Sequence, residues 1–341
     1  EILKRAKRME QVGHSEVVSI GTYVPSLKIT SKELMQEIKS ERFGLDDEWL
    51  ERNLGIIERR AIVNGTKPSD LAIEAAKVAI NKAQIDAKDI GLIIFCGIDR
   101  DCAEPATAHY VQKGIDSNAA CFDLSSACHG FVNGLAVADS IIATSNVEYV
   151  LVVTGETPTR SVTWPSVDIL KKTSDKKVFD RLVGMLTVGD AGAAMILSRK
   201  TSKNKGFKSF RFSSQGRYSD LCYYKYVNGK LDAQMIMEKI SAAGVNMHRK
   251  LIEKTYECLS WEPSNIDYLI VHQVGKSPVK KMSEITRVST EKTQITYDYY
   301  GNTTSAAIPL TLDLAKPVLG SKILLTGAGS GLSVSQTGLV F

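Results

Sequence analysis

In "AACFDLSSACHGFVNGLAVADSIIAT" (residues 119–144) a short run ending at Leu124 passes through small residues to Cys128, and Gly130 then opens an apolar, helix-like segment. A strand that gives way to a helix across such a turn is the elementary step of an α/β fold. Cys128 itself has two readings. Free cysteine is among the most buried residue types, so a core thiol is the ordinary one. At a helix start, however, unpaired N–H groups and the positive end of the helix dipole favour a thiolate, and the same amides would hold an oxyanion. The neighbours Ser125, Ser126, Ala127 and Gly130 are small, which leaves room for a substrate to approach the sulfur.

Working outward, the strand-to-helix step recurs. "EVVSIGTYVP" (16–25) is a β-branched run closed by proline, and "SKELMQEIKS" (31–40) opens on a Ser/Glu capping pattern. "PSDLAIEAAKVAINKAQI" (68–85) has helical spacing with Ser69 as the expected N-cap. "IGLIIFCG" (90–97) is continuously apolar, as a strand buried on both faces would be. "VEYVLVVTGE" (147–156) and "VGDAGAAMILS" (188–198) read as further strands.

The second part of the chain repeats the order. "FKSFRFSS" (207–214) is a strand, "MIMEKISAAGVNMHRKLIEKTYECL" (235–259) one long helix, "IDYLIVHQ" (266–273) a strand and "SPVKKMSEITRV" (277–288) a helix. "YYGNTTSAAIPLTLDLAK" (299–316) follows as loop and helix, then "KILLTGAG" and "LSVSQTGLVF" as closing strands. The echo predicts two packed α/β halves, 16–200 and 201–341. Residues 1–15 are charged without an apolar face and are expected to form a surface arm. No shorter repeat suggests a solenoid or propeller.

The 341 residues are 43% hydrophobic and 24% charged, ordinary globular usage. No run approaches the roughly 20 apolar residues of a membrane span, and the charged start lacks the core of a signal peptide, so a cytoplasmic protein without membrane contact is expected. The six cysteines show no C-x-x-C spacing, so neither a metal site nor a disulfide scaffold is indicated. A net charge of +5 without Lys/Arg runs or interleaved aromatics argues against nucleic acid.

A thiol nucleophile usually works with a partner. His129 is a poor one, because adjacent residues of a helix do not face each other. His14 lies in the arm, and His109 and His248 sit in helical patterns that suit surface or core roles. Cys96, Cys121, Cys222 and Cys258 fall inside strand or helix patterns and are assigned to packing. His272 ends "IDYLIVHQ", and ligands of open α/β sheets sit at the carboxyl ends of strands. A strand-end histidine satisfied by local hydrogen bonds is the plainer reading. Asn302 follows Gly301 before a Thr/Ser-rich helix start; it is a turn or cap residue, or an amide donor to developing negative charge. "GAGSGLS" (327–333) is a hairpin turn whose amides could complete an oxyanion site; no helix follows it, so it is not a dinucleotide fingerprint.

Together, "FDLSSACHGF", "VHQ", "YYGNTTSAAIP" and "GAGSGLS…GLVF" resemble β-ketoacyl-acyl-carrier-protein synthase III, a member of the thiolase-like superfamily. The resemblance runs from about residue 16 to the end. "DDEWLERNLGIIERR" (46–60) and "VGDAGAAMIL" are similar to further family segments. It implies a layered α-β-α-β-α fold with Cys128 in the N-terminal half and His272 and Asn302 in the C-terminal half. It implies that Cys128 takes an acyl group from a thioester, with the amides of Cys128 and Ser330 as oxyanion hole. A malonyl thioester of acyl carrier protein or coenzyme A would then lose carbon dioxide, its enolate held by His272 and Asn302, and condense with the acyl group. The setting would be fatty-acid initiation or a specialised fatty-acid or polyketide-type pathway. No cofactor or metal is implied beyond the thioester substrates, and a homodimer is.

The resemblance also places Trp49, Arg52 and Arg181 at the substrate, with Gln273, Lys276, Lys280 and Lys281 as a dock for the acidic carrier protein; a solvated lysine face is the plainer alternative for the last three. The chain departs from the family in several places. Gly275 stands where the family has asparagine, and Asn53 where it has arginine, with Arg52 one position away. Arg181 is likewise about one position off a family arginine. Glu104 stands about where many members carry an aromatic residue that closes the partner subunit's acyl pocket. Two other functions stay open: acyl transfer to an alcohol, amine or other acceptor without decarboxylation, and a non-catalytic acyl-binding subunit of a paired enzyme.

Overall fold

Strand sequence and burial pattern together build two five-stranded sheets. The computed structural model describes residues 10–341. Its strands are β1 (Glu10–Val12), β2 (Ser15–Tyr23), β3 (Leu27–Thr30), β4 (Glu58–Ala61), β5 (Ile90–Phe95), β6 (Ala120–Asp123), β7 (Tyr149–Glu156) and β8 (Ala191–Arg199). They continue as β9 (Gly206–Tyr218), β10 (Cys222–Val227), β11 (Lys230–Met235), β12 (Tyr268–Val271), β13 (Lys322–Gly329) and β14 (Gly331–Val340). One sheet has the order β2-β8-β7-β5-β6 and the other β1-β9-β14-β13-β12. The orientations agree as well. β2, β8 and β7 alternate antiparallel, as do β9, β14 and β13, and the next strand in the order, β5 beside β7 or β12 beside β13, is parallel to its neighbour.

Side chains alternate across each sheet, and each face meets a different apolar layer. Leu92, Ile94, Val150 and Val152 point to the same cluster as Ile270, Ile323 and Leu325 of the other sheet, with the helices Gly130–Thr144 and Ala307–Ala315 between them. Ile93, Phe95, Leu151 and Val153 face the other way, onto the helix Pro68–Ala83. Leu269, Val271 and Leu324 face the helices Ile252–Leu259 and Lys276–Thr286. The result is five layers, helix, sheet, helix, sheet, helix, which explains why the central strands read as continuous apolar runs.

Several local expectations are corrected. The arm is not free from residue 10 onward: β1 pairs antiparallel with β9, and Ser15 is buried, its hydroxyl donating to Asp139 Oδ1 at 2.6 Å. Residues 1–9 of that arm lie outside the described residues. The helix Pro68–Ala83 is preceded by Lys67 as cap, while Ser69 lies inside it and donates to Asp101 Oδ2 at 2.6 Å. The capping box of Ser31–Glu37 is made by Thr30 and Glu33. The segment read as one helix over 235–259 is two, Met237–Arg249 and Ile252–Leu259, parted where Gln336 Nε2 donates to the His248 carbonyl at 3.0 Å.

Candidate active site

Four short segments at one end of the sheets converge. Cys128 lies in a 3-10 turn, Ala127–His129, that runs directly into the helix Gly130–Thr144. Ala127 has a φ of +50°, and Gly130 comes so near the Cys96 carbonyl that an added Cβ would lie 2.4 Å from that oxygen. The cysteine is therefore held at a fixed distance from the end of β5. His272 follows the last residue of β12, and its N–H donates to the Thr326 carbonyl of β13 at 2.9 Å. Asn302 forms an isolated bridge to Val188, its N–H donating to the Thr187 carbonyl at 2.9 Å. That docking needs Gly301, which has a φ of +64° and whose added Cβ would lie 2.5 Å from the Thr187 carbonyl oxygen. Gly329 packs on the Cys128 turn, where an added Cβ would sit 2.7 Å from the His129 nitrogen. Ser330 follows it and lines the same cavity as Cys128.

Cys128, His272, Asn302 and Ser330 line one cavity of about 360 Å³. Its long wall is a face of the helix Met237–Arg249, where Ile240, Ser241, Gly244, Val245 and His248 recur at helical spacing. Met235, Val271, Met282 and Leu332 make the rest largely apolar, while Glu238 and Lys281 bring charge to it.

Burial sets the electrostatics. It pushes His272 and His248 down to about 4, so both imidazoles are neutral at neutral pH. His272 is 8% exposed and its Nδ1 has no hydrogen-bond partner among the described residues. The expected stabilisation of a Cys128 thiolate at the helix start is outweighed. Burial pushes the thiol up, and Cys222 and Glu156 push the same way; its own main-chain N–H opposes them. Asn302 Oδ1 accepts the Thr304 N–H at 2.9 Å, which orients the amide.

Comparisons with known proteins show the family. Residues 122–216 match the family model of 3-oxoacyl-[acyl-carrier-protein (ACP)] synthase III, and residues 257–339 match the model of its C-terminal part. The beta-ketoacyl-[acyl-carrier-protein] synthase III of Wolbachia pipientis subsp. Culex pipiens is 32% identical over 328 residues, covering 94% of this chain and 96% of that protein. The chain belongs to the β-ketoacyl-ACP synthase III family. The synthase III of Alkalilimnicola ehrlichii is 30% identical over 337 residues, covering 94% of this chain and 98% of its own. Among solved structures, cerulenin-bound Xanthomonas campestris OleA superposes with a TM-score of 0.88 at 24% identity, over 97% of this chain and 98% of that one. The fold is thiolase-like, and this synthase III relative is an acyl-transferring condensing enzyme.

Not every residue expected at the site is there. Gln273 is buried, its Nε2 donating to the Gln294 carbonyl at 2.6 Å and its Oε1 accepting from the Thr296 and Tyr297 main chain. It pins the segment before Asn302 and offers no docking surface, which corrects its assignment to carrier-protein docking. Lys281 lines the cavity, with Nζ on Ser241 Oγ at 3.1 Å, whereas Lys280 is exposed and Lys276 reaches back to the Arg52 carbonyl. Arg52 itself is bound to Asp46 at 2.6 Å. Trp49 is half-buried, edge-on to Phe179 with ring centroids 5.7 Å apart; Phe179 shares the helix Lys176–Leu182 with Arg181. Glu104 is exposed on the loop after β5 and does not line this cavity.

His129 is buried edge-on to Phe212, its Nδ1 3.0 Å from Asn133 Nδ2, and it turns away from the cavity as its position predicts. Cys222 and His248, assigned to packing and to a surface or core role, both line the cavity, and Cys258 is exposed. The overlooked signal for Cys222 is Asn228-Gly229, with φ of +50° and +73°, a turn that makes β10 and β11 a hairpin and brings Cys222 and Met235 to its base.

Proposed function

We propose that Cys128 is the acyl carrier and that His272 and Asn302 hold the enolate of a malonyl thioester. The observation that carries this reading is the shared cavity, which a nucleophile, a neutral imidazole and an oriented amide enter from three segments. In the first step the Cys128 sulfur bonds to the acyl carbonyl carbon, and the donor thiol leaves with the cysteine proton. The main-chain N–H groups of Cys128 and Ser330 are the oxyanion donors. In the second step the bond between the malonyl α-carbon and its carboxylate breaks, carbon dioxide leaves, and the electron pair passes to the thioester oxygen. The enolate carbon then attacks the acyl-Cys128 carbonyl, expelling the Cys128 sulfur and giving a β-ketoacyl thioester. Two neutral donors suit an enolate in an apolar cavity, because preorganised dipoles stabilise charge there without the cost of burying a cation.

The substrates in this reading are acyl and malonyl thioesters of acyl carrier protein or coenzyme A. No cofactor takes part. Lys280 and Lys281 form the edge of the carrier-protein dock, and Trp49, Arg52 and Arg181 lie on the side where a coenzyme A head group would rest. Glu104, exposed on its loop, acts in this reading on a partner subunit of a homodimer. Incubation with a panel of acyl thioesters, read by intact mass, should give an adduct on Cys128. Malonyl thioester should then release carbon dioxide. An adduct without carbon dioxide would point to plain acyl transfer, and no adduct from any donor would overturn the proposal.

A further inference from the structure

Glu156 ends β7 and is fully buried, yet none of the steps above uses it. Both of its carboxyl oxygens accept the Ile98 main-chain N–H, at 3.1 and 3.2 Å. Oε1 also accepts from Thr154 Oγ1 at 3.3 Å and from Ser305 Oγ. Those two hydroxyls are themselves 2.7 Å apart. The carboxyl thus joins the residue after β5's Cys96-Gly97 turn, the end of β7, and the segment that carries Asn302. The link to Asn302 is short in sequence: Thr304, beside Ser305, donates its N–H to Asn302 Oδ1 at 2.9 Å.

Among the described residues, no cation acts on this carboxyl. The titratable groups that interact with it are Asp99 from the loop after β5, Cys96, Cys128, and Tyr224 from β10, whose hydroxyl donates to Asp99 Oδ1 at 2.7 Å. Burial and the Asp99 carboxyl raise Glu156 to about 8, against the pull of Ser305, Ile98 and Thr304. It is therefore mostly protonated at neutral pH and ionises as the pH rises through about 8.

We propose that Glu156 is a positioning residue for the condensation: in its neutral form it braces the Asn302 segment beside the nucleophile turn, and once ionised it opposes the Cys128 thiolate. The inference rests on Cys128 being the acyl carrier. Its consequence is an alkaline restraint on the sulfur. A thiolate should become more abundant at every higher pH, but above about pH 8 it forms beside a second buried negative charge.

Iodoacetamide reads this directly, because alkylation reports the sulfur whatever acyl donor the enzyme takes. The rate of Cys128 alkylation is followed by peptide mass from pH 6.5 to about 10 in the wild type, Glu156→Gln and Ser305→Ala. The Gln variant keeps a neutral, hydrogen-bonding side chain and should match the wild type below pH 7, then exceed it about tenfold at pH 9 to 10. Ser305→Ala removes a hydroxyl that favours the ionised carboxyl, so its restraint should set in at higher pH than in the wild type. Equal profiles for wild type and Gln variant overturn the proposal, as does a uniform loss at all pH in the Gln variant, the mark of a purely structural role. If the Gln variant does not fold, an unmoved restraint in Ser305→Ala overturns it. A chain that alkylates as described yet accepts no acyl group would refute the acyl-carrier reading alone.

Discussion

Asn302 Oδ1 accepts the Thr304 main-chain N–H at 2.9 Å, so the acceptor end of the amide is occupied and the NH2 end is left to act as donor. Asn302→Asp would retain that acceptor and lose the donor. We expect the variant to fold and to acylate Cys128, but to release carbon dioxide at a rate lower by about 100- to 1,000-fold, the usual effect of removing one oxyanion donor. Measuring adduct formation and carbon dioxide separately tests this; a decarboxylation rate within about tenfold of wild type would refute it.

Three buried histidines predict acid sensitivity. His129 is pushed down to about 3, with His248 and His272 adding to its burial, and the latter two are at about 4. Each is neutral in the folded chain at a pH where the unfolded chain, near 6.5, already binds a proton. Their contribution to stability is whole above about pH 6.5 and is lost as the pH falls toward 4, on the order of 1 kcal/mol per pH unit for each. Calorimetric Tm values between pH 7 and 4.5 should fall steeply, and less so in His248→Gln. A flat profile would contradict the burial of these rings.

Gly275, where the resemblance implies an asparagine, stands in a turn that suits glycine. Gly275 has a φ of +140°, and an added Cβ would come within 2.9 Å of the Leu54 carbonyl oxygen. Gly275→Asn should therefore lower stability by about 1–3 kcal/mol through backbone strain and the forced retreat of the helix Trp49–Leu54. Denaturant titration tests this, and a variant as stable as wild type would show that the turn tolerates a side chain.

Charge reversal would separate the proposed dock from the cavity. Lys280 is exposed and does not line the cavity, while Lys281 does. Lys280→Glu should raise KM for carrier-linked substrate about 3- to 10-fold with kcat unchanged, and leave coenzyme A substrates alone. Lys281→Glu should impair both. A parallel rise for both substrates in Lys280→Glu would remove the docking role.

Much of the fold is legible in the chain because its signals are local. The continuous apolar run at Ile90–Phe95 marks a strand covered on both faces, and the repeated order of strands and helices fits the two five-stranded sheets. The positions of Cys128, His272 and Asn302 at element ends are legible for the same reason. The caps lie a residue or two from the expected ones, at Thr30 rather than Ser31 and at Lys67 rather than Ser69, because neighbouring polar residues compete for the same role and tertiary partners such as Asp101 decide between them.

Tertiary structure decided the environment of each group. Cys128 stands at a helix start, where local electrostatics favour a thiolate, but enclosure by segments distant in the chain raises its thiol. Gln273 is adjacent to His272 and turns inward to hold the Asn302 segment, whereas Cys222 and His248 come from far along the chain to the same cavity. Glu156 reads as the last residue of a strand, and only the packing of the Ile98 and Ser305 segments around it removes water and holds its proton at neutral pH. Periodicity and capping act over a few residues and are therefore written in the sequence. Desolvation depends on everything that closes over a group, and that is set only when both halves have packed.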